Sequence, residues 1–120
     1  MTDRELLELA AKAAGMQIQR FRLDDPMCRD VLMNGSGVRN PGQKAFPWNP
    51  LTDDGDALRL AVKLRIILKP NGPYIMAIYG RQPDAPDEPL YEMEKVEGDP
   101  YASTRRAIVR AAAEIGKEMP

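Results

Sequence analysis

The sequence predicts a small α+β domain in which three helices pack on one mostly antiparallel sheet of three to four strands. The chain has 120 residues, which is the size of a single domain. Apolar residues recur at helical spacing near its start, middle and end, and short strand-like segments bounded by turn residues lie between them. The predicted order is helix, strand, long loop, helix, three strands and helix. We therefore expect residues 1–120 to form one domain.

The first helix is predicted over residues 3–14, where apolar residues recur at helical spacing. Thr2 and Glu5 have the spacing of a capping box, and Gly15 ends the segment. A strand is predicted next, over 16–23, because β-branched, aromatic and polar residues are mixed there between Gly15 and a turn. The chain is thus expected to begin as a helix followed by a strand.

Residues 24–52 are predicted to form a long ordered loop, with one short strand near 31–33. Prolines and glycines are frequent there and no helical period is present. Because long loops are often functional, this loop is one candidate site. Its segment 34–37 is rich in glycine and could present backbone N–H groups to a phosphate. It lacks the known nucleotide-binding fingerprints, so a plain loop is favoured.

A second helix is predicted after the loop, with Thr52 or Asp53 as its N-cap. Its apolar residues within 57–64 are predicted to lie on one broad face. A hairpin is predicted next, in which 65–69 and 74–79 flank a Pro-Asn-Gly-Pro turn. Because 74–79 is apolar throughout, we predict that it is the central strand and is covered on both faces.

The chain is predicted to end with an edge strand over 90–96 and a helix over 100–118. The acids of the edge strand would discourage pairing with another sheet. Asp99 and Pro100 are typical of a helix N-terminus. The predicted apolar face of the helix contains Tyr101, Ile108, Ala112 and Ile115. Arg105 falls inside this stripe, so it must reach solvent, pair with another group or meet a ligand.

The catalytic chemistry open to the chain is narrow because it contains no His and one Cys. Within one copy, this excludes histidine acid–base catalysis, Ser-His-Asp and Cys-His nucleophiles, and zinc sites built on His or paired Cys. No pair of carboxylates stands out as an acid–base pair. The acidic turn at 53–56 is better explained by helix capping than by a metal ion. We therefore predict a protein that is not an enzyme, with no cofactor and no metal site.

Charge is nearly balanced overall but is arranged in blocks along the chain. Lys and Arg total 17 and Asp and Glu total 18, so nucleic-acid binding is not expected. Residues 57–82 contain five basic residues and no acid, whereas 84–99 contain seven acids and one lysine. We interpret the second block as a solvated acidic edge beside a basic surface, with a partner-binding surface as the alternative. No apolar run is long enough to span a membrane, and no secretion signal is present, so we expect a cytoplasmic protein.

Six residues are candidates for ligand binding: Trp48, Asn49, Tyr101, Arg105, Arg106 and Arg110. Trp48 lies between two prolines, where its indole is either a plug in the core or a platform on which a base could stack. Arg106 and Arg110 share a face of the last helix. They suit a phosphate or carboxylate through forked hydrogen bonds, although a solvated face with Glu114 as a partner is the alternative.

Two stretches of the chain resemble small proteins encoded by tailed phages and prophages, which are distantly similar to the NinX-like group and have no established activity. These stretches are WNPLTDDGDALRLAV at 48–62 and DPYASTRRAIVRAA at 99–112. With the first helix, the resemblance covers about half of the chain. It implies an accessory role in the bacterial cytoplasm during infection, and it transfers no catalytic residue to this sequence.

Two functions are expected in that setting. The first is a non-enzymatic counter-defence factor that sequesters a nucleotide signal, with Trp48 or Tyr101 stacking on the base and the arginines holding phosphate. We expect such a protein to be a homo-oligomer with pockets between protomers. The alternative is an inhibitor of a host defence protein or complex that uses the acidic segment 84–99, as many anti-CRISPR proteins mimic the charge of nucleic acid. An aromatic residue near clustered arginines favours the first function, and the density of acids favours the second.

Overall fold

In the computed structural model, residues 2–16, 18–20, 32–34 and 46–120 are described, and they form three helices and two antiparallel sheets. The helices are α1 (Asp3–Ala13), α2 (Asp54–Leu64) and α3 (Pro100–Lys117). The larger sheet contains β4 (Ile67–Asn71), β5 (Tyr74–Arg81) and β6 (Pro89–Lys95), in that order. The smaller sheet contains β1 (Ile18–Arg20), β2 (Leu32–Asn34) and β3 (Phe46–Pro47). These elements confirm the predicted α+β class.

Among the residues that the structure describes, the strand predicted over 16–23 is β1, and it belongs to the smaller sheet. It pairs with β2, which in turn pairs with β3. Within the described residues, the larger sheet therefore has three strands and gains no fourth from β1. The loop predicted over 24–52 contains β2 and β3, and residues 24–31 and 35–45 of this region, including most of the glycine-rich segment, lie outside the described residues.

Side-chain caps fix the first turn of each described helix, at the residues that the sequence indicates. The Thr2 hydroxyl accepts a hydrogen bond of 3.2 Å from the backbone N–H three residues later. The Asp53 carboxylate does the same for α2 at 2.8 Å, and the Asp99 carboxylate caps α3 at 2.9 Å. Each such cap typically contributes about 1 kcal/mol. The helix starts are therefore set by local chemistry.

β5 is the central strand of the larger sheet, but the described helices cover only one of its faces. Ile75, Ala77 and Tyr79 point toward α3 and belong to the core or pack against it. Because side chains alternate along a strand, Tyr74 and Met76 lie on the opposite face. Tyr74 is exposed there and Met76 is only partly covered. Within the part of the chain that the structure describes, the prediction that this strand is covered on both faces is therefore wrong.

α3 is the central element of the fold. It packs across β5 and β6, and it contacts both α1 and α2. Its buried residues are Ala107, Ile108, Val109, Ala111, Ala112, Ala113 and Gly116. Most of them are small, which lets α1 approach closely. The approach is tightest at Gly116, where an added Cβ would lie 2.1 Å from the carbonyl oxygen of Leu9.

The apolar faces of α2 and α3 are less covered than the sequence predicts. Leu58 and Val62 of α2 are exposed, because α2 packs on α3 through its narrower side of Ala57, Leu60 and Ala61. Tyr101, at the start of α3, is also exposed and is not part of a buried stripe. These uncovered side chains border the site described below.

Candidate functional site

The structure does not bring the six candidate residues into one site. Trp48 and Asn49 precede α2, whereas Tyr101 and Arg105 line one depression and Arg106 and Arg110 line another. We call the depression with Tyr101 the apolar groove and the depression with Arg110 the polar groove. Since the two grooves lie on different sides of α3, the aromatic residue and two of the three arginines are separated.

Trp48 and Asn49 have structural roles, Trp48 in the hydrophobic core and Asn49 in the turn before α2. The side chain of Trp48 is 3% exposed and belongs to the hydrophobic core, which fits a core plug and leaves no face open for stacking. The backbone N–H of Asn49 donates to the Asp56 carboxylate at 3.0 Å. The Asn49 side-chain oxygen accepts from the backbone N–H of Leu51, also at 3.0 Å. Both bonds hold the turn that leads into α2.

Each carboxylate of the acidic turn at 53–56 has a partner within the protein. Asp53 caps α2, and Asp54 accepts a hydrogen bond of 2.6 Å from the guanidinium of Arg105. Asp56 accepts from the Arg59 guanidinium at 2.8 Å. Arg105 also donates to the carbonyl oxygen of Leu51 at 2.8 Å. Arg105 was expected to reach solvent, to pair with another group or to meet a ligand. The structure shows that it pairs with Asp54.

The polar groove is a depression of about 340 Å³ between α1, β6 and α3. Its lining residues are Leu6, Glu94, Arg106, Arg110, Glu114 and Lys117. Arg110 donates to the Glu92 carboxylate at 2.7 Å, to the Glu94 carboxylate at 2.5 Å and to the carbonyl oxygen of Met93 at 3.1 Å. Arg106 lies 3.1 Å from the Asp3 carboxylate. Both guanidinium groups are thus engaged by carboxylates of the same chain.

The charge state of Arg110 reflects these contacts. Burial lowers the pKa of Arg110, but the hydrogen bond from its guanidinium to Glu94 and the charges of Glu92, Glu94 and Glu114 outweigh burial and raise the pKa above its ordinary value. The guanidinium is therefore held in its charged form by groups that already neutralise it. An arginine in this state is a poor site for a phosphate, since the phosphate would have to displace two carboxylates.

The acids of segment 84–99 do not form one continuous surface, contrary to the interpretation as a single solvated edge. Glu92 and Glu94 lie on the helix-facing side of β6 and bind Arg110. Asp99 is the N-cap of α3. The exposed acids are Asp84, Asp87 and Glu88 in the turn between β5 and β6, Glu97 after β6, and Asp99 itself. The density of acids in the sequence therefore overstates the acidity of any one surface.

The apolar groove is a depression of about 440 Å³ between α2, β4 and the first half of α3. Its apolar lining residues are Ala57, Leu58, Leu68, Tyr101 and Ile108. Leu58 is 63% exposed and Tyr101 is 68% exposed, so two large side chains at its border face solvent. The polar lining residues are Asp54, Thr104 and Arg105. Each of these has a partner, because Thr104 donates to the carbonyl oxygen of Pro100 at 2.8 Å and the other two bind each other.

Sequence reasoning placed Tyr101 and Arg105 near each other but missed Leu58 and Leu68. The available signal was the breadth of the apolar face of α2, which is wider than one helix neighbour can cover. Leu68 could not be assigned to the groove without the register of β4 against β5, which puts it opposite the buried Ala77.

No family model, curated protein or solved structure matches this chain. The apolar groove is therefore interpreted from its own chemistry. It offers apolar contact around an exposed tyrosine, with its charged groups already paired. None of the described helices is long and apolar enough to cross a membrane.

The pKa of Tyr79, a residue of β5 that packs against the hydrophobic core, predicts how stability changes at alkaline pH. Burial raises the pKa of Tyr79 above its ordinary value of 10.0, and the charges of Glu114, Glu92 and Glu118 raise it further. The tyrosine of the unfolded chain thus ionises first, so this contribution to stability is present below about pH 10 and is lost as pH rises above it. We expect the free energy of unfolding to fall less steeply between pH 9 and 11 in Tyr79→Phe than in the wild type.

The measurement is urea unfolding at several pH values across that range. Tyr101→Phe, which removes the same hydroxyl from an exposed tyrosine, is the matched control. Equal slopes for Tyr79→Phe and the wild type would contradict the prediction.

Proposed function

We propose that this protein is a non-enzymatic binding domain that docks a host protein in the apolar groove, as a counter-defence factor encoded by a phage or prophage and acting in the bacterial cytoplasm. The observation that supports this function is the exposure of Leu58 and Tyr101 at the border of a concave apolar surface. Large apolar side chains grouped around a groove are typical of surfaces that bind another protein.

The extent of the apolar surface favours a protein over a small molecule. Val62 follows Leu58 by one helical turn, is also exposed, and continues the same face of α2 beyond the groove. Tyrosine is enriched among the residues that contribute most to binding at protein interfaces. A partner segment with apolar side chains, such as one face of a helix, would fill the groove and cover this extension.

The charges beside Tyr101 indicate a basic residue in the partner. The Arg105 guanidinium lies 2.6 Å from the Asp54 carboxylate and 3.9 Å from the Asp99 carboxylate. Two carboxylates around one guanidinium leave a net negative charge at this end of the groove. A lysine or arginine of the partner would be attracted there, whereas a phosphate would be repelled.

Sequestration of a nucleotide is the second candidate, and one observation favours it. Tyr101 and Arg105 line the same groove, and its volume of about 440 Å³ is within the range of small-molecule sites. A base could stack on Tyr101, but Arg105 would have to exchange Asp54 for the phosphate. Arg106 and Arg110 line the polar groove and would not take part.

Photo-cross-linking in the host tests the protein-docking function. We would replace residue 58 or residue 101 with a photo-cross-linking amino acid, and use position 87 in the exposed β5–β6 turn as the control. The expected result is one host protein cross-linked from both 58 and 101 and not from 87. Cross-links to unrelated proteins at each position, or none, would contradict the proposal.

The affinity of that host protein for variants then locates the docking surface. Leu58→Asp and Tyr101→Ala should each weaken the purified complex by roughly thirtyfold, as expected for central interface residues. Lys63→Ala changes an exposed residue of the same helix and should leave the affinity within about twofold. Full affinity in Leu58→Asp would exclude the apolar groove.

Thermal unfolding with cyclic and ADP-ribose-type nucleotides separates the two candidates. A ligand at about 100 times its Kd adds roughly 2.7 kcal/mol, which would raise the melting temperature by several degrees. We expect no such rise. A rise that Tyr101→Ala abolishes and Lys63→Ala retains would favour nucleotide sequestration and overturn the protein-docking function.

A further inference from the structure

The larger sheet has a face that points away from the helices, and the proposed function does not use it. Strand pairing places nine residues on this face in three rows, which are Asn71, Tyr74 and Lys95; Lys69, Met76 and Met93; and Ile67, Ile78 and Tyr91. We call this surface the open face. Six of its nine side chains are apolar or aromatic.

β6 is oriented against the usual rule for a half-covered strand. Such strands normally turn apolar residues toward the core and charged residues toward water. In β6, Glu92 and Glu94 point toward α3, where Arg110 binds them, and Tyr91 and Met93 point away from it. β6 thus places an ion-pair cluster on the face toward α3 and apolar side chains on the open face. This arrangement indicates that the open face has a partner.

The exposure of the open face supports the same conclusion. Ile67 is 57% exposed and Tyr91 is 44% exposed, although they lie in one row with Ile78 between them. A contiguous apolar patch on a sheet is a typical interaction surface and an aggregation hazard when it is left uncovered.

The charges at the two ends of the open face have opposite sign. Near the Gly72–Pro73 hairpin turn, Lys69 and Lys95 stand against Glu97, which lies 3.1 Å from Lys95, so two cations face one anion. Lys69 makes no ion pair with any described residue. At the other end of the sheet, the β5–β6 turn contains three acids, Asp84, Asp87 and Glu88, and two cations lie at the same end, Arg81 in the last position of β5 and Arg65 just before β4. The net charge changes from about +1 to about −1 along the strands.

We propose that the open face binds the open face of a second copy of this chain, about a two-fold axis that runs across the strands. Two identical faces can stack only about an axis that lies in the plane between them. An axis across the strands reverses their direction, so the lysine end of each copy meets the acidic turn of the other. An axis along the strands would bring like charges together. The charge distribution therefore favours a second copy as the occupant and distinguishes between its two orientations.

This dimer is compatible with the proposed function and does not depend on it. The apolar groove lies on the helix side of the sheet, since Leu68 of its lining points away from the open face. Both surfaces can be occupied at the same time. The dimer would then present two grooves on opposite outer sides.

The size of the open face predicts a reversible dimer. Strand spacing and residue rise give a face of roughly 15 Å by 20 Å, which is smaller than a standard protein interface. We expect dissociation in the micromolar range or above, with dimer formation that depends on protein concentration and on salt.

Sedimentation velocity of the full chain from 5 μM to 1 mM tests the proposal with two charge-reversal variants. One variant is Lys69→Glu with Lys95→Glu, and the other is Asp84→Lys with Asp87→Lys. Each alone should raise the dimer Kd by at least about tenfold at low salt, because like charges then meet at both ends of the interface. An equimolar mixture should form a heterodimer with an affinity close to that of the wild type, which also shows that both variants are folded.

Leu58→Asp is the control for association through the apolar groove and should leave the dimer unchanged. A wild-type monomer at every concentration would overturn the proposal, as would a dimer that Leu58→Asp disrupts and the charge reversals do not. A titration of labelled single-stranded oligonucleotides tests whether nucleic acid binds the open face instead. Saturable binding that blocks dimer formation and is lost in Lys69→Glu with Lys95→Glu would assign the open face to nucleic acid instead. These readouts need no host protein, so their failure is distinct from failure of the proposed function.

Discussion

Gly116→Ala is expected to lower the free energy of unfolding by about 3 kcal/mol, the upper end of the usual cost of overpacking a core. The added Cβ would lie 2.1 Å from the carbonyl oxygen of Leu9 and 2.9 Å from its carbonyl carbon. These are backbone atoms of α1, so no side-chain rotation can relieve the contact. α1 and α3 must move apart, and the buried alanines on both helices then lose contact with each other.

Helix propensity alone predicts the opposite change in stability for a glycine-to-alanine replacement. A second helical glycine therefore serves as the control. Alanine in a helix interior is normally more stable than glycine by roughly 1 kcal/mol. At Gly55 in the first turn of α2, an added Cβ would lie 3.2 Å from the tip of Arg59 and from the Asp53 carboxylate oxygen that caps the helix, and a shift of a few tenths of an ångström relieves both contacts. Because the propensity gain and the disturbance of the cap oppose each other, Gly55→Ala should change the free energy of unfolding by less than about 1 kcal/mol. Urea unfolding of both variants checks the prediction, and a Gly116→Ala protein as stable as the wild type would show that α1 and α3 are not so closely packed.

The start of each helix could be predicted from the sequence because it depends on neighbours in the chain. Thr2, Asp53 and Asp99 each bind a backbone N–H within three residues, which is a local event with a local signature. The hairpin of β4 and β5 could be predicted for the same reason, because its turn residues are neighbours in the chain. Gly116 illustrates the opposite case, since its importance depends on Leu9, more than a hundred residues away.

The candidate site was harder to predict from the sequence than the helix starts, because it depends on which faces of the helices and strands pack together. A helical wheel shows that Arg105 needs a partner, but only the fold supplies Asp54 and the Leu51 carbonyl. The wheel also groups Tyr101 with buried residues, because it cannot show that α3 extends past the cover of its neighbours. The alternation of β6 is visible in the sequence. Its direction, with Glu92 and Glu94 inside, is decided by Arg110 of α3.

Arg110→Met is expected to lower the free energy of unfolding by about 2 kcal/mol while the chain still folds. The variant leaves Glu92 without its counter-ion and Glu94 with only the longer contact of 3.9 Å to Arg106, and both side chains face α3 and are only 20% exposed. Breaking a fully buried ion pair costs about 3–5 kcal/mol. Because the Arg110 side chain is 36% exposed, water screens part of the loss, and we expect about half of that cost. Arg106→Met is the control, since this more exposed arginine makes longer contacts and should cost less than about 1 kcal/mol.

The triple variant Arg110→Met, Glu92→Gln, Glu94→Gln separates the loss of the guanidinium from the charges that it leaves behind. Neutral amides need no counter-ion, so we expect the triple variant to recover about half of the stability lost in Arg110→Met. Chemical unfolding measures all three proteins. If Arg110 were instead a free anion-binding residue, its replacement would change ligand affinity and leave stability unchanged. A stability loss that the two glutamines reverse would therefore identify Arg110 as the counter-ion that allows β6 to turn its acids inward and its apolar side chains outward.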